Sequence, residues 1–581
     1  MVGPRLQRLL TYLRPHRREV ALGAAALVVV NLLGVSLPLL VRNAVDELHG
    51  GFALGEVLGK AGLIIGLATA MALVRLWSRM LVFGVGREVE ADLKQRIFDH
   101  LLRQEPGWVQ STGSGEVISR ATSDVENVRR LLGFAVLSLT NTALAYALTL
   151  PAMLAIDPLL TLAAVGLYPL MLFTVRLFGG RMMKQQRRQQ EALAQLSDLI
   201  QEDLSGIGAI KIYGQEAAEQ QAFEGRNRVY RDAALGLGRT RSTLFPLLEG
   251  IASISLLLLL AIGSGQLESG RLSIGDLVAL ILFVERLVFP TALLGFTLNS
   301  FQTGQVSLDR IEALLDRKPL VLSPADPLPP ARPARGVVEA RALTVRYPEA
   351  SRPSLDRLSF RLGAGELVAV VGPVGCGKTT LARALGRMVT VDPGQLFFDG
   401  VDITRLALEE LRRQVALVPQ EGYLFTASLA DNLRYGEPEA AMAKVEEACR
   451  QARLEADVKG FPDGYATLVG ERGITLSGGQ RQRTALGRAL LVEAPLLVLD
   501  DALASVDNTT AAGILAEVRR QRNRTVLMIS HQLSAAAACD RILVLEDGRL
   551  VQEGHHSRLV SEPGPYRRLW DREQAQRLQA A

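Results

Sequence analysis

The chain has 581 residues, more than one hydrophobic core can organise, so we expect at least two domains. Hydrophobic residues make up 48% of it and the mean hydropathy is +0.19, which excludes a disordered, collagen-like or coiled-coil protein. The formal charge of +5 is a mild excess. Many basic residues flank apolar segments, so this charge favours membrane lipid, and no nucleic acid, as a partner.

Residues 1–19 are predicted to form a cytoplasmic N-terminus with an interfacial helix. Leucines recur at helical spacing between arginines, at Leu6, Leu9, Leu10 and Leu13 and at Arg5, Arg8 and Arg14. This stripe predicts a short helix on the membrane surface, although a plain extension of the first membrane span also fits. No cleavage site of small residues follows a short apolar core, so we expect no removable signal peptide.

A membrane domain is predicted at residues 20–317, because six apolar stretches in it are long enough to cross a bilayer. These stretches are Val20–Val41, Leu58–Val82, Leu132–Ile156, Pro158–Phe178, Leu244–Gly263 and Ile274–Leu298. The long connections at 84–130 and 180–241 are rich in arginine, whereas the alternating short connections carry almost no Lys or Arg. The positive-inside rule places both termini and both long connections in the cytoplasm, as in a multi-pass protein of the inner (cytoplasmic) membrane.

Charged residues interrupt the apolar spans at Arg75, Glu249, Glu285 and Arg286. Charges inside a membrane often mark a substrate pathway. They also fit two plainer roles, which are pairing with a neighbouring helix and reaching to the membrane interface. The sequence leaves these roles open.

A proline-rich linker is predicted at residues 318–335, followed by a soluble domain at residues 336–581. Prolines concentrated between Lys318 and Pro333 prevent a continuous helix and favour a semi-rigid spacer. The three cysteines, Cys376, Cys449 and Cys539, all lie in the soluble domain and are too few for a disulfide framework. This domain is therefore expected in the reducing cytosol.

A phosphate-binding loop is predicted where a buried-strand pattern, Glu366–Val371, runs into Gly372–Thr379 (GPVGCGKT) and then into a helical pattern. The glycines of such a loop let backbone N–H groups surround phosphates at a helix N-terminus. Lys378 is expected to reach the β- and γ-phosphates, and Thr379 to hold Mg²⁺. The residues expected to bind nucleotide here are Gly372, Gly375, Cys376, Gly377, Lys378, Thr379 and Thr380.

Two further patterns belong with this loop. A second apolar strand, Leu496–Leu499, ends in Asp500, whose carboxylate is placed to hold the Mg²⁺ of the same nucleotide. Between the two strands lies Leu476–Gln480 (LSGGQ), followed by a helix-forming run from Arg481. This five-residue sequence is the most specific signal in the chain.

With these motifs, the soluble half resembles the nucleotide-binding domain of ATP-binding cassette (ABC) proteins along nearly its whole length. The resemblance implies that Tyr347 stacks on adenine, that Gln420 serves catalysis and Mg²⁺, and that His531 is the switch histidine. It also implies that a signature segment completes the ATP site of a partner chain, with Ser477, Gly478, Gly479 and Gln480. The segments 469–473, 504–507 and 544–548 match further family motifs. Each of these residues taken singly also fits a plainer role. Tyr347 could be a half-buried strand residue, Gln420 a surface amide, and His531 a capping or core histidine.

The membrane half resembles that of an exporter-type ABC half-transporter. The expected fold is therefore an α-helical six-span transmembrane domain followed by an α/β P-loop ABC nucleotide-binding domain. Arg103–Gly115 and Ile210–Phe223 resemble the two coupling segments that dock on cassettes, although without the resemblance they would be plain surface connections. In this family the fourth and fifth helices cross to the partner, so the second segment is expected to dock on the partner's cassette.

One position departs from the family pattern. Members that hydrolyse ATP rapidly carry Glu directly after the Mg²⁺-holding Asp, whereas this chain has Asp500-Asp501, and Leu503 and Ala504 replace the usual Thr-Ser. A group that orients the attacking water must lie within about 2.6–3.2 Å of it. Shortening the side chain by one methylene group therefore predicts a degenerate ATP site, with slow catalysis by Asp501 in a homodimer as the alternative.

An intact signature beside a degenerate site resembles one subunit of a heterodimeric exporter, as in the TAP-like peptide transporters and the TmrAB-type multidrug exporters. The expected function is ATP-driven export of hydrophobic or amphipathic drugs, peptides or lipids together with a homologous half-transporter. The alternatives are a homodimeric lipid or drug flippase with slow hydrolysis and an ATP-gated regulatory or channel-like protein. The six spans exclude a soluble ABC ATPase of DNA repair or translation, and the fused cassette disfavours an importer.

Overall fold

The computed structural model describes residues 9, 11–49, 54–348, 350–470, 473–520 and 523–580. Within these residues the chain divides into two compact units. The first extends to Leu102 and resumes at Gly113–Arg317, and the second consists of Arg103–Thr112 and Lys318–Ala581. The four-part division made from the sequence stays a prediction.

The first unit is entirely helical in the described part of the chain. After a 3₁₀ turn at Arg14–His16, its helices are α1 (Arg17–His49), α2 (Leu54–Leu101), α4 (Ser114–Ile156), α5 (Pro158–Ser205), α6 (Ile207–Tyr213), α7 (Glu216–Glu268) and α8 (Ile274–Leu315). The described residues contain six helices long and apolar enough to cross a membrane, one for each predicted stretch. This confirms the predicted helical fold class. Residues 1–8 and 10 of the predicted interfacial helix lie outside the described residues, and the described residues from Thr11 onward belong to the stretch Thr11–Leu48 that contains the first span.

Local sequence sets where the membrane helices begin. The Asp157 carboxylate accepts the backbone N–H of Leu160 at 2.7 Å and caps α5, which has Pro158 in its first turn. Ser273 and Asp276 form a reciprocal capping box at the start of α8. Side chains of α4, α5, α7 and α8 pack into one buried core that includes Met153, Leu160 and Phe283. The helix starts are thus local features, while their packing is not.

The second unit is an α/β domain with two sheets. Its strands are β1 (Val338–Val345), β2 (Leu355–Leu362), β3 (Leu367–Val371), β4 (Leu396–Phe398), β5 (Val401–Asp402), β6 (Val415–Val418), β7 (Leu496–Asp500), β8 (Thr525–Ile529), β9 (Arg541–Glu546) and β10 (Arg549–Gly554). Its helices are α3 (Pro106–Thr112), α9 (Lys378–Leu385), α10 (Leu408–Gln414), α11 (Leu429–Arg434), α12 (Met442–Gln451), α13 (Glu455–Gly460), α14 (Gly478–Leu491), α15 (Asn508–Arg520), α16 (Leu533–Ala537), α17 (His556–Ser561) and α18 (Pro565–Ala580). This architecture confirms the predicted α/β class.

The larger sheet positions the nucleotide motifs. In the described residues its order is β10-β9-β3-β8-β7-β6, parallel throughout except for the β9–β10 pair. Every residue of β3, β7 and β8 is buried, as expected for parallel strands covered on both faces. The carboxyl ends of parallel strands meet at one edge, so the loops after β3, β7 and β8 lie together there. The smaller sheet is antiparallel, in the order β2-β1-β4-β5.

The proline-rich segment belongs to the second unit and packs against the rest of it. The backbone N–H of Leu328 donates to the carbonyl of Arg405 at 2.8 Å, and Arg387 donates to the carbonyl of Leu322 at 3.1 Å. The Glu105 carboxylate, just before α3, accepts the backbone N–H groups of Leu320 and Val321. The start of the segment is therefore bound both to the domain that follows it and to the first predicted coupling segment.

Candidate active site

The loop between β3 and α9 has the geometry that phosphate binding needs. The Lys378 ammonium is nearly buried and donates to the carbonyl oxygens of Gly372 at 2.8 Å and Pro373 at 2.9 Å. This holds a cation over the loop at the N-terminus of a helix, where anions bind well. Gly377 has a φ of +102°, and a Cβ atom there would lie 2.4 Å from the carbonyl oxygen of Ser354. A glycine is required at this position because a side chain would collide with backbone.

A hydroxyl and a carboxylate meet at the edge of the sheet. The Thr379 hydroxyl at the start of α9 donates to the Asp500 carboxylate at the end of β7, at 3.3 Å. Burial raises the pKa of the Asp500 carboxyl, the hydrogen bond from Thr379 lowers it, and the charge of Asp501 raises it. Thr379 and Asp500 offer the oxygen atoms that Mg²⁺ prefers. The sequence predicted this pair as metal ligands.

The donor set fits a metal ion bound together with a nucleotide. Among the described residues, no group of three or more His, Cys, Asp or Glu side chains is arranged to hold a metal. Mg²⁺ in nucleotide sites needs only one or two protein oxygens besides phosphate and water. Thr379 and Asp500 would hold it here, and the bound ion would neutralise charge on the phosphates.

Gln420 lies in the same cleft as the predicted metal ligands. It follows β6 and is exposed. The cleft has a volume of 870 Å³, and its lining includes Gln420, Thr379, Asp500 and Gly478. Tyr347, which follows β1, is half-buried, with its hydroxyl 3.5 Å from that of Thr380 in the first turn of α9. The structure thus brings these predicted residues to the phosphate loop, while their roles stay predictions.

Asp501 has an unusual backbone conformation at the end of β7. Its φ is +52°, a left-handed value that aspartate tolerates better than most residues. Its backbone N–H donates to the carbonyl of Ile529 at 2.9 Å, and its carboxylate accepts the backbone N–H of His531 at 3.4 Å. The Asp501 side chain is nearly buried, whereas His531 is exposed. The short carboxylate is therefore held against the loop that follows β8.

The signature segment forms the first turn of α14. The Ser477 hydroxyl accepts the N–H of Gln480 at 3.2 Å, and the Gln480 amide oxygen accepts the N–H of Ser477 at 2.9 Å. Gln480 also donates to Asp457 at 2.9 Å, which ties the turn to α13. Ser477 and Gly478 are exposed, Gly479 is half-buried, and α14 is 14 residues long. Its N-terminus is thus built to present N–H groups and a positive dipole end to an anion.

The structure adds one contact that the sequence reasoning missed. The Gln482 side chain in α14 accepts the backbone N–H of Ser505 at 2.8 Å, which joins the signature helix to the loop after β7. A Cβ atom on Gly479 would lie 2.9 Å from the Ser505 carbonyl oxygen, so the approach is close. These positions are 23 residues apart, and no local spacing connects them.

Two protein families match the chain in the order of its two units. The ABC transporter transmembrane region matches residues 20–291, and the ABC transporter family matches residues 355–504. The second match contains the phosphate loop, the signature segment and Asp501. The matches thus cover both predicted halves of the chain.

Similar proteins span the full length of the chain. The multidrug resistance-like ATP-binding protein MdlA of Escherichia coli is 31% identical over 98% of this chain and 96% of its own length. An ATP-dependent lipid A-core flippase of Thiobacillus denitrificans is 32% identical over 97% of each protein. The structure of a bacterial Atm1-family ABC exporter with ATP bound has a TM-score of 0.78 and 27% identity, covering 96% of this chain and 98% of that one. This chain therefore belongs to the ABC transporters, as a multi-pass, ATP-hydrolysing exporter half-transporter that fuses a membrane domain to an ATP-binding cassette.

Proposed function

We propose that this chain is one half of a heterodimeric ABC exporter and that its own ATP site hydrolyses slowly. The complex moves hydrophobic or amphipathic drugs, peptides or lipids out across the cytoplasmic membrane, with both termini and the cassette in the cytoplasm. The names of the multidrug and lipid A-core relatives support drugs and lipids within this range. On the basis of the Asp500-Asp501 pair, we propose that the chain corresponds to the TmrB subunit of TmrAB-type exporters.

The position of Asp501 is the observation that carries this proposal. Its carboxylate contacts the His531 backbone, and its left-handed backbone conformation fixes the direction of a side chain one methylene shorter than glutamate. A catalytic group misplaced by about an ångström can lower a rate about 100-fold. Lys378, Thr379 and Asp500 keep the contacts of a binding site, so we expect Mg²⁺ and ATP to bind here and hydrolysis to be slow.

The signature segment supports a role in a second ATP site. The capping box of Ser477 and Gln480 holds the turn, and the exposed Gly478 leaves the helix N-terminus accessible. In this family the phosphate loop of one chain faces the signature of the other. We therefore propose that α14 completes a fast site on a homologous partner chain.

The exposure of the second predicted coupling segment supports the proposal that this segment docks on the cassette of a partner chain. Ile212 and Tyr213 at the end of α6 are 80% and 75% exposed, which is unusual for large apolar side chains. The cassette has a groove of 630 Å³ whose lining includes Tyr423, Arg412 and Arg488. A homologous partner would present such a groove to Ile212 and Tyr213. Its own coupling segment would in turn insert into the groove of this chain's cassette.

A homodimeric flippase is the second candidate, favoured by the 32% identity to the lipid A-core flippase. In a homodimer both ATP sites would carry Asp501.

The test uses the complex purified from its native membrane. Intact-mass measurement identifies its chains, and trapping during turnover identifies the nucleotide that is bound at each site. We expect two different chains, with ATP at this chain's phosphate loop and ADP at the partner's. A fully active homodimer with ADP at both sites contradicts the proposal.

A transport measurement separates the exporter from an ATP-gated channel. Sealed vesicles containing the complex should accumulate substrate against its gradient when ATP is present. Removing the catalytic glutamate of the partner should abolish this accumulation. Movement that only runs down the gradient would instead support a gated channel.

A further inference from the structure

A cavity of 560 Å³ lies within the membrane unit, lined by α1, α2, α4 and α8. Four charged side chains line it: Arg75, Arg79, Glu285 and Arg286. Of the charged span residues predicted from the sequence, three meet here, and Glu249 does not belong to the lining. The cavity thus collects three guanidinium groups and one carboxylate at the depth of the membrane spans.

Arg286 is held in place by α1. Its guanidinium donates to the carbonyl oxygen of Asn31 at 3.3 Å and to the side-chain oxygen of Asn31 at 3.1 Å. Asn31 is buried and donates in turn to Asn141 at 3.1 Å. A Cβ atom on Gly34 would lie 1.4 Å from an Nη atom of Arg286, so the guanidinium occupies the space that this glycine leaves open. These contacts give Arg286 one defined position.

The three guanidinium groups lack ion-pair partners in the described part of the chain. Arg75 contacts the sulfur of Met71 at 3.6 Å, and the Nε atom of Arg286 is buried without a hydrogen-bond partner. Charges in a membrane are costly and almost always pair with one another or with polar groups. The excess of positive charge in the cavity therefore calls for an anionic ligand.

Other features of the cavity narrow the class of ligand. Phe83, Phe134 and Phe289 supply an apolar wall beside the guanidinium groups. The planar guanidinium fork matches phosphate oxygens in a bidentate way. A ligand with a phosphate group and an acyl chain satisfies both surfaces at once.

We propose that this cavity binds the phosphate headgroup of an anionic lipid as transport substrate, with Arg286 and Arg75 determining the specificity. The proposal rests on the exporter function proposed above. It identifies the substrate class by charge, and it assigns to Gly34 and Asn31 the positioning of Arg286.

The test measures binding of short-chain dihexanoyl phosphatidic acid to the purified native complex in phosphatidylcholine nanodiscs. Dihexanoyl phosphatidylcholine and inorganic phosphate are measured alongside, which separates a lipid phosphate from a zwitterionic lipid and from a free anion. We expect R286Q and R75Q each to weaken phosphatidic acid binding about tenfold, as for loss of a charged hydrogen bond. G34A keeps every charge and displaces the guanidinium, so it should also weaken binding.

R87Q is the matched control, because Arg87 lies on α2 with Arg75 but pairs with Glu90 at 3.2 Å and is absent from the cavity lining. It should leave binding unchanged. Equal affinity for phosphatidic acid in wild type and in the R75Q/R286Q double variant overturns the inference. So does equal affinity of the wild type for phosphatidylcholine or for inorganic phosphate.

Measuring transport by the same complex separates a failure of this inference from a failure of the exporter function. If the complex pumps a neutral dye with ATP but phosphatidic acid does not bind, the cavity inference fails and the exporter function stands. If phosphatidic acid binds through Arg286 but no probe is pumped with ATP, the exporter function fails and the binding site stands.

Discussion

Two regions of the cassette, the signature turn of α14 and the strand end at Asp500-Asp501, differ in how closely they keep the family pattern. The signature turn keeps the LSGGQ sequence, and a reciprocal pair of hydrogen bonds between Ser477 and Gln480 holds it. At the strand end, Asp500 keeps its contact with Thr379, whereas Asp501 is shorter than the family's glutamate. The difference underlies the proposal that the chain contributes to a fast site on a partner while its own site is slow.

The largest effect is expected from G478D, which places a carboxylate where the helix N-terminus should meet a phosphate of the partner's nucleotide. A Cβ atom on Gly478 comes no closer than 3.8 Å to its described neighbours, so the variant should fold. Turnover of the complex should fall by about 100-fold or more, in the range for loss of transition-state stabilisation. The measurement is steady-state ATPase activity.

G460D is the control for G478D, because a Cβ atom there meets nothing within 4 Å among the described residues. It adds the same carboxylate to the same domain, at the end of α13, and should leave turnover unchanged. If the complex with G478D turns over normally, α14 serves no fast site and the comparison between the two regions fails.

The next effect concerns the exposed coupling segment, through I212D. Burying an isoleucine side chain contributes about 1.5–3 kcal/mol, so a charge at this position should break docking and lower transport about tenfold. Nucleotide binding should be unchanged, because the segment belongs to the membrane unit. V229D is the control, since Val229 on α7 is also exposed. Equal loss from both variants would indicate damage to the helices rather than to a docking surface.

A smaller effect is expected from K378A, although the lysine belongs to the phosphate loop. Loss of a charged hydrogen bond to phosphate should weaken nucleotide binding at this chain's site about tenfold. Turnover should fall only a few-fold if, as proposed, the partner's site carries most of the hydrolysis. The measurement compares site-resolved nucleotide affinity with ATPase activity, and K444A on the surface of α12 is the control. A loss as large as that of G478D would argue against two unequal sites.

Local motifs were predictable from the sequence because their residues meet within a few positions. The phosphate loop Gly372–Thr379 and the capping box of Ser477 and Gln480 are of this kind. The six spans were also predictable, since length and apolar composition decide them. The structure then added the exact helix ends and the packing of the helices against one another.

Contacts between distant positions that belong to no recognised motif were beyond the sequence. Glu105 meets Leu320 and Val321 more than 200 residues away, and its acidic side chain alone indicates no partner. The position of Arg286 depends on the missing side chain of Gly34, which no periodic pattern marks. The left-handed backbone of Asp501 occurs directly after the last residue of β7 that pairs with β8, and no local motif marks it. The sequence could therefore identify the short side chain but not its direction.

The smallest and most informative effect is expected from D501E, which restores the missing methylene group and extends the carboxylate by about an ångström. A well-placed base contributes about 10²- to 10⁴-fold, so hydrolysis at this site has room to rise. The ATP site already contains the other residues expected to act there, which are His531, Lys378 and Thr379. Ala504 in the adjoining loop, or an altered signature on the partner, would limit the gain, so we expect a modest rise in ATPase activity.

Transport should gain little from D501E, because opening and closing of both sites together often limits turnover. Trapped nucleotide should change at this chain's phosphate loop from ATP in the wild type to partial ADP in the variant. D547E is the matched control, since Asp547 is exposed and shares the left-handed backbone with a φ of +48°. This control measures how much an extra methylene group at a left-handed backbone position changes ATPase activity by itself. If the wild type already forms ADP at this site at the partner's rate, Asp501 is a working base, and the two regions of the cassette do not differ in the way proposed.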